Sequence, residues 1–221
     1  MEYVGRTPPD PATAPVTARW RRARKRGPTT PLVVLLHGRG ADEHDLFDVA
    51  DVLPQAFSYV SVRAFVPLPA GGYTWFENRG VAQPIPASLR ESVARLRAWL
   101  DGPECGAESR RCYLFGFSAG MMMAGALLLD EPARFSGGVL LSGALALDAN
   151  GAPQTNRLAK VPVFYGRGSE DDVIPAPLVA RTERYLQRES GADVTMREYP
   201  IGHGISDREL HEIAVWFSER R

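Results

Sequence analysis

The chain predicts an α/β fold, in which a mostly parallel sheet carries helices on both faces. Two observations lead there. Short runs of β-branched and aliphatic residues alternate with longer stretches whose apolar residues recur at helical spacing. The short runs are continuous and end in Gly or Pro, the pattern of strands buried on both faces. A third observation is size: 221 residues at 44% hydrophobic content supply one sizeable core.

In chain order, residues 1–16 are rich in Pro, Thr and Ala and read as an irregular arm, with one α/β domain expected over 17–221. Six basic residues lie between Arg19 and Arg26. An anion or nucleic-acid patch is one reading, but no aromatic platform or RNA motif accompanies them, so the favoured reading is a solvated edge strand or hairpin whose charges resist edge-to-edge pairing. "PLVVLLHG" (31–38) is a buried-type strand. "DEHDLFDVADVL" (42–53) sets Leu46, Val49, Ala50 and Leu53 at helical period. "FSYVSVRAFVP" (57–67) is a second strand, stopped by prolines. A long loop (68–86) carries Tyr73, Trp75 and Phe76.

The remainder continues the alternation. A helix is expected over 87–101, with Leu89, Val93, Leu96 and Leu100 along one face. Strand 111–118 leads into helix 119–130. Strands follow at 135–143 and 161–168, then a helix at 176–190 closed by Gly191. The chain ends with strand 193–200 and helix 206–220, where Ser206 and Glu209 have the spacing of a capping box. In such sheets ligands bind at the carboxyl ends of the strands.

Composition narrows the function. Lys+Arg and Asp+Glu balance at 26 each, which argues against nucleic-acid binding by bulk charge. No apolar run is long enough to span a membrane, and the N-terminal residues lack a secretory core, so the cytoplasm is the expected compartment. Cys105 and Cys112 are expected as free thiols in that setting. No metal-ligand cluster is evident, and no cofactor is expected.

Gly116-Phe117-Ser118-Ala119-Gly120 matches G-x-S-x-G between a buried-type strand and a helix, the setting of a nucleophile elbow. A serine hydroxyl needs a base. Among four histidines, His44 and His211 fall in expected helices and His37 in the loop after the first long strand. His203 lies in "YPIGHGIS", after the last strand and between two glycines. The imidazole in turn needs a carboxylate. Glu170, Asp171 and Asp172 stand together after the fifth strand, and their chemistry alone does not choose among them. The backbone N–H groups of Ala119 and Arg39 are the candidate oxyanion donors.

With these residues assembled, the chain resembles the phospholipase/carboxylesterase branch of the α/β-hydrolases, which includes acyl-protein thioesterases and small bacterial carboxylesterases. The matching pieces are "LLHGRGADEHDL", "TWFENRG", "GFSAG", "GRGSEDDVIP" and "YPIGHGIS", in order from about residue 31 to the end. The resemblance implies an α/β-hydrolase fold without a large lid domain. It implies Asp171 as the acid, through the pattern D-x-V-[VI]-P, and Trp75 as part of the acyl pocket, where the residue itself reads equally well as a loop anchor. It implies hydrolysis of small or short-acyl carboxylic esters, with lysophospholipase or thioesterase chemistry as the alternative. A non-catalytic ligand-binding module is the rival from another class. The family includes monomers and homodimers, so either state is expected. Two departures stand out. Ala119-Gly120-Met121 replaces the thioesterases' usual Gln-Gly-Gly, and "YGRG" stands where many members have His-Gly. Both weaken a claim to protein thioesters. Met121 to Met123 read as core packing.

Overall fold

A computed structural model describes residues 15–24, 27, 30–107, 110–149 and 154–220. The expected N-terminal arm falls almost wholly outside these residues, as do Lys25 and Arg26 of the basic stretch.

Seven strands form the central sheet: β1 (Ala18–Arg21), β2 (Leu32–Leu36), β3 (Ser58–Val62) and, after two small hairpins, β8 (Cys112–Phe117), β9 (Gly137–Leu141), β10 (Pro162–Gly168) and β11 (Asp193–Tyr199). The hairpins are β4 (Val66–Pro67) with β5 (Tyr73–Thr74), and β6 (Asn78–Gly80) with β7 (Gln83–Pro84). Strand order is β1-β3-β2-β8-β9-β10-β11. Every pair is parallel except β1 with β3. Arg19 and Arg21 of the basic stretch therefore lie in an antiparallel edge strand, while Arg22 and Arg24 follow it outside the strand. Arg21 pairs there with Asp51.

The helices are α1 (Val49–Val52), α2 (Pro86–Asp101), α3 (Ala119–Asp130), α4 (Ala176–Arg184) and α5 (Asp207–Ser218). Strand β2 shows why they cover both faces. Its side chains alternate, so Leu32, Val34 and Leu36 join the cluster that contains Leu96 of α2 and Met123 of α3. Val33 and Leu35 join the opposite cluster, with Ala50 of α1 and Phe217 of α5. Both sides of β2 are dry, which is why its sequence reads as an unbroken apolar run. Helix α3 is buried from Ala119 to Leu128, matching its all-round apolar sequence.

Three elements depart from the sequence expectation. Only 49–52 of the helix expected over 42–53 is α-helical. Before it the chain advances by i→i−3 bonds, such as Asp45 N–H to Asp42 O and Phe47 N–H to His44 O. The Asp42 carboxylate takes the His44 amide, the local competition by which Asp disfavours helix. Leu46, Ala50 and Leu53 are still buried, so the period reported the buried face and missed the bonding.

The strand expected over 57–67 is cut after Val62. The Ala64 N–H donates to His37 Nε2 at 3.0 Å instead of to a neighbouring strand. Arg63 turns out to Glu43, with bonds of 2.6 and 2.7 Å. The helix expected over 176–190 widens to a π-turn at Tyr185–Glu189, and the Ser190 N–H donates to Tyr185 O.

Candidate active site

Ser118 sits between β8 and α3 with φ 56° and ψ −116°, a backbone region that non-glycine residues seldom occupy. Two backbone bonds hold it there. Its N–H donates to Leu141 O at 2.9 Å, and its carbonyl accepts from Met122 N–H at 3.2 Å. The turn is tight because Gly120 lets α3 start against the end of β2. A Cβ at Gly120 would lie 1.9 Å from Leu36 O. Strain at one residue, fixed by its neighbours, lifts the Ser118 side chain out of the sheet's carboxyl edge.

His203 comes from the loop after β11. Its Nε2 is 2.9 Å from Ser118 Oγ, and its Nδ1 is 2.8 Å from Asp171 Oδ2. A neutral ring with its proton on Nδ1 satisfies both contacts, donating to the carboxylate and accepting from the hydroxyl. The ring packs against Phe117, with centroids 5.1 Å apart. The loop is pinned by Ser142 Oγ, which donates to Gly204 O at 3.1 Å.

Asp171 comes from the loop after β10. Its second oxygen, Oδ1, accepts from Val173 N–H at 2.9 Å and Ile174 N–H at 3.2 Å. The carboxylate is thus oriented from two sides and nearly buried. Glu170 and Asp172 are exposed, so of the three acids Asp171 is the one that reaches the histidine. The acid loop and the histidine loop are also tied to each other. Ser169 N–H donates to Tyr199 O and Glu170 N–H to Ile201 O. Gly168 permits that approach, since a Cβ there would lie 2.2 Å from Ile201 O.

The Ala119 N–H opens α3 and therefore has no intrahelical acceptor. The Arg39 N–H donates to no backbone carbonyl among the described residues. Both residues line the same cleft as Ser118 and His203. His37 braces this loop from beneath. Because Ala64 N–H donates to Nε2, the His37 proton resides on Nδ1, which donates to Gly38 O at 2.7 Å. Burial lowers the pKa of His37 and keeps it neutral, despite the opposing pull of the Gly38 carbonyl and nearby Asp45.

Trp75 is where sequence and structure part. It does not line the cleft: it is fully buried, and its Nε1–H donates to His37 O at 2.8 Å. Its ring packs on His37 and Phe65. Trp75 anchors the loop that carries Arg39, the loop-anchor reading of the residue. Phe76, its neighbour, lines the cleft instead.

That cleft has a volume of about 540 Å3. Its apolar lining includes Phe76, Val81, Met122 and Ile174, and its charged lining includes Arg39 and Arg79. Met122 therefore has a cleft-facing side that its helical setting concealed, while Met121 and Met123 are core. Arg79 lies in the "TWFENRG" piece, where no local pattern assigns it a role of its own. A separate cavity of about 410 Å3, between α2 and α3, contains none of the Ser118, Asp171 and His203 constellation.

One trio of metal-ligand types does come together among the described residues: Asp42, Glu43 and His44, with ligand atoms within 4.8 Å of one another. Glu43 there is already engaged by Arg63, whose hydrogen bond lowers its pKa. Cys105 and Cys112 are free and buried. No helix among the described residues is long and apolar enough to cross a membrane.

Residues 22–219 match the family model described as Phospholipase/Carboxylesterase. Among solved structures, a Bacillus cereus carboxylesterase is similar at TM-score 0.82 and 23% identity, over 95% of this chain and 97% of that one. A carboxylesterase from Mesorhizobium loti is similar at TM-score 0.79 and 26% identity, over 92% and 94%. Zea mays acyl-protein thioesterase 2 is similar at TM-score 0.74 and 20% identity, over 92% and 98%.

Proposed function

The chain belongs to the phospholipase/carboxylesterase family, and we propose that within it the chain is a serine esterase for small or short-acyl carboxylic esters. Ser118 attacks the ester carbonyl. His203 takes the hydroxyl proton through Nε2 and delivers it to the departing alcohol. Asp171 holds the His203 tautomer and stabilises the imidazolium. The N–H groups of Arg39 and Ala119 donate to the oxyanion of each tetrahedral intermediate. Water, deprotonated by His203, then attacks the acyl-enzyme and releases the acid.

The observation that carries this reading is the continuous hydrogen-bonded line from Asp171 through His203 to Ser118, with spacings of 2.8 and 2.9 Å. A triad needs that geometry, and a binding module does not. The cleft's modest volume supports compact substrates. The same machinery would serve a thioesterase, and the similarity to the maize thioesterase keeps that alternative in view.

The test is a chain-length series of 4-nitrophenyl esters, with matched thioesters, on wild type beside Ser118→Ala. The reading expects kcat/KM to be higher for acetate and butyrate than for C12, with Ser118→Ala inactive on all. A steady rise out to C12 would reverse the short-acyl assignment. A thioester preference of tenfold or more would select the alternative.

A further inference from the structure

Arg39 and Arg79 both line the cleft that holds Ser118 and His203, and among the described residues no Asp or Glu lines it. Both arginines are exposed, and neither has an ion pair with a carboxylate among the described residues. Several other guanidiniums face carboxylates, Arg63 with Glu43, Arg97 with Asp130, Arg134 with Asp101 and Arg181 with Asp148, while Arg90, Arg110 and Arg157 donate to backbone carbonyls. The chain as a whole carries no net charge, so the excess at the cleft is local. Unpaired arginines are ordinary on open surface. Two of them line one concave site, where low-dielectric walls focus their field and favour an anion.

The rest of the lining limits what the anion is attached to. Phe76, Phe117, Met122, Val173 and Ile174 give the cleft an apolar interior. Arg39 also supplies the backbone N–H assigned to the oxyanion, so its side chain starts one residue's breadth from the reacting carbonyl. An occupant that suits both features has a scissile ester, a short apolar arm and an anionic group at the arm's end.

From this we infer that the enzyme selects esters bearing an anionic substituent, carboxylate or phosphate, and that Arg39 and Arg79 hold that substituent during acyl transfer. The inference rests on the serine-esterase reading above and names the substrate class for the same site. Arg39 and Arg79 are the specificity-determining side chains. Charge-assisted contacts of this kind orient the ester as well as attracting it.

Pairs of esters that share the scissile group and differ in whether an anionic substituent is present test it. 4-Nitrophenyl hydrogen glutarate is compared with its neutral methyl ester, and 1-butyrylglycerol 3-phosphate with 1-butyrylglycerol. The expected result is a kcat/KM about tenfold or more higher for the charged member of at least one pair, expressed mainly in KM. Which pair responds tells carboxylate from phosphate. The preference should shrink as salt rises from 20 to 500 mM, while the neutral member is little affected. Arg79→Gln and Arg39→Gln should each cut the charged-to-neutral ratio several-fold, and Arg79→Lys should restore part of it.

A ratio within twofold of one in both pairs, with the neutral esters still hydrolysed, overturns the inference and leaves the esterase reading standing. So does a preference that survives Arg79→Gln and Arg39→Gln together. Failure to hydrolyse any of the four esters, together with no reaction with a fluorophosphonate, overturns the esterase reading and this inference with it. The salt dependence is read on wild type, so it decides the matter even if a variant fails to fold.

Discussion

Ser118 Oγ lies 2.9 Å from His203 Nε2, although 85 positions separate the two residues in the chain. The sheet accounts for the meeting. Strands β8 and β11 run parallel through the intervening β9 and β10, so the loops leaving their carboxyl ends emerge on the same side. Asp171 joins from the loop after β10, between them in the strand order.

If these three side chains work as a unit, their losses will not add. Ser118→Ala and His203→Ala should each lower kcat/KM on 4-nitrophenyl butyrate by about 10^4-fold or more, and the double variant should be little worse than either. Asp171→Asn should cost about 10^3- to 10^4-fold by disturbing the His203 tautomer. Steady-state kinetics on purified variants, with circular dichroism to confirm folding, measure this. Additive losses in the double variant would mean the residues act independently.

The elbow makes a prediction about stability. Gly120→Ala would drive a Cβ to 1.9 Å from Leu36 O, a backbone atom that has no rotamer by which to move aside. The variant should lose about 3 kcal/mol or more, or fail to fold. Gly204→Ala meets nothing within 4 Å and should stay within about 0.5 kcal/mol of wild type. Urea denaturation of the two variants provides the comparison. Equal stabilities would show that β2 and α3 are not packed this closely.

Glu209 predicts a pH dependence. It is fully buried at the start of α5, and neither carboxylate oxygen has a hydrogen-bond partner among the described residues. Burial pushes its pKa up to about 7; the Ser206 amide pulls the other way without reaching hydrogen-bond geometry, and Glu212 pushes further up. The folded state therefore holds this proton more tightly than the unfolded chain, whose Glu titrates near ~4.3. Stability from this group is intact below about pH 4.3, falls as pH rises to about 7, and stays lost above that. The total is on the order of 3 kcal/mol. Glu209→Gln cannot ionise, so it should remove this slope and exceed wild type in stability at pH 8. Denaturation midpoints of both proteins at pH 5 and pH 8 test it. Parallel pH profiles would refute it.

The cysteines should be inert in the native state. Burial raises the pKa of Cys105 to about 11 and of Cys112 to about 12, so neither is appreciably thiolate at pH 8. Iodoacetamide should label neither until denaturant is added. Intact mass before and after unfolding reads the outcome directly. Labelling of the folded protein at the rate of a free thiol would contradict the burial.

Much of this was legible in the sequence because the signals are local. The strand runs at 31–38 and 111–118 report burial on both faces, and the elbow glycines sit beside the serine they accommodate. What escaped depends on contacts between distant segments. The resemblance implied Trp75 as a pocket residue, while the residue itself read equally well as a loop anchor, because an aromatic in a long loop is ambiguous until its partner is known. That partner is the His37 carbonyl, 38 positions away. Asp171 could be chosen over Glu170 and Asp172 only by resemblance, since its selection depends on where the His203 loop lands. The Ser206–Glu209 capping box is half realised. The Glu209 N–H donates to Ser206 Oγ at 3.1 Å, while the carboxylate turns into the protein beside Gly166. Arg79 lies within the "TWFENRG" piece, but nothing local gave it a role; only the shape of the cleft brings it to the serine.

Fluorophosphonate labelling followed by peptide mass mapping tests the proposed chemistry most directly. The account predicts a single adduct on the peptide containing Ser118, formed in wild type and absent from Ser118→Ala. Folded wild type that acquires no adduct, or acquires it on another residue, would contradict it.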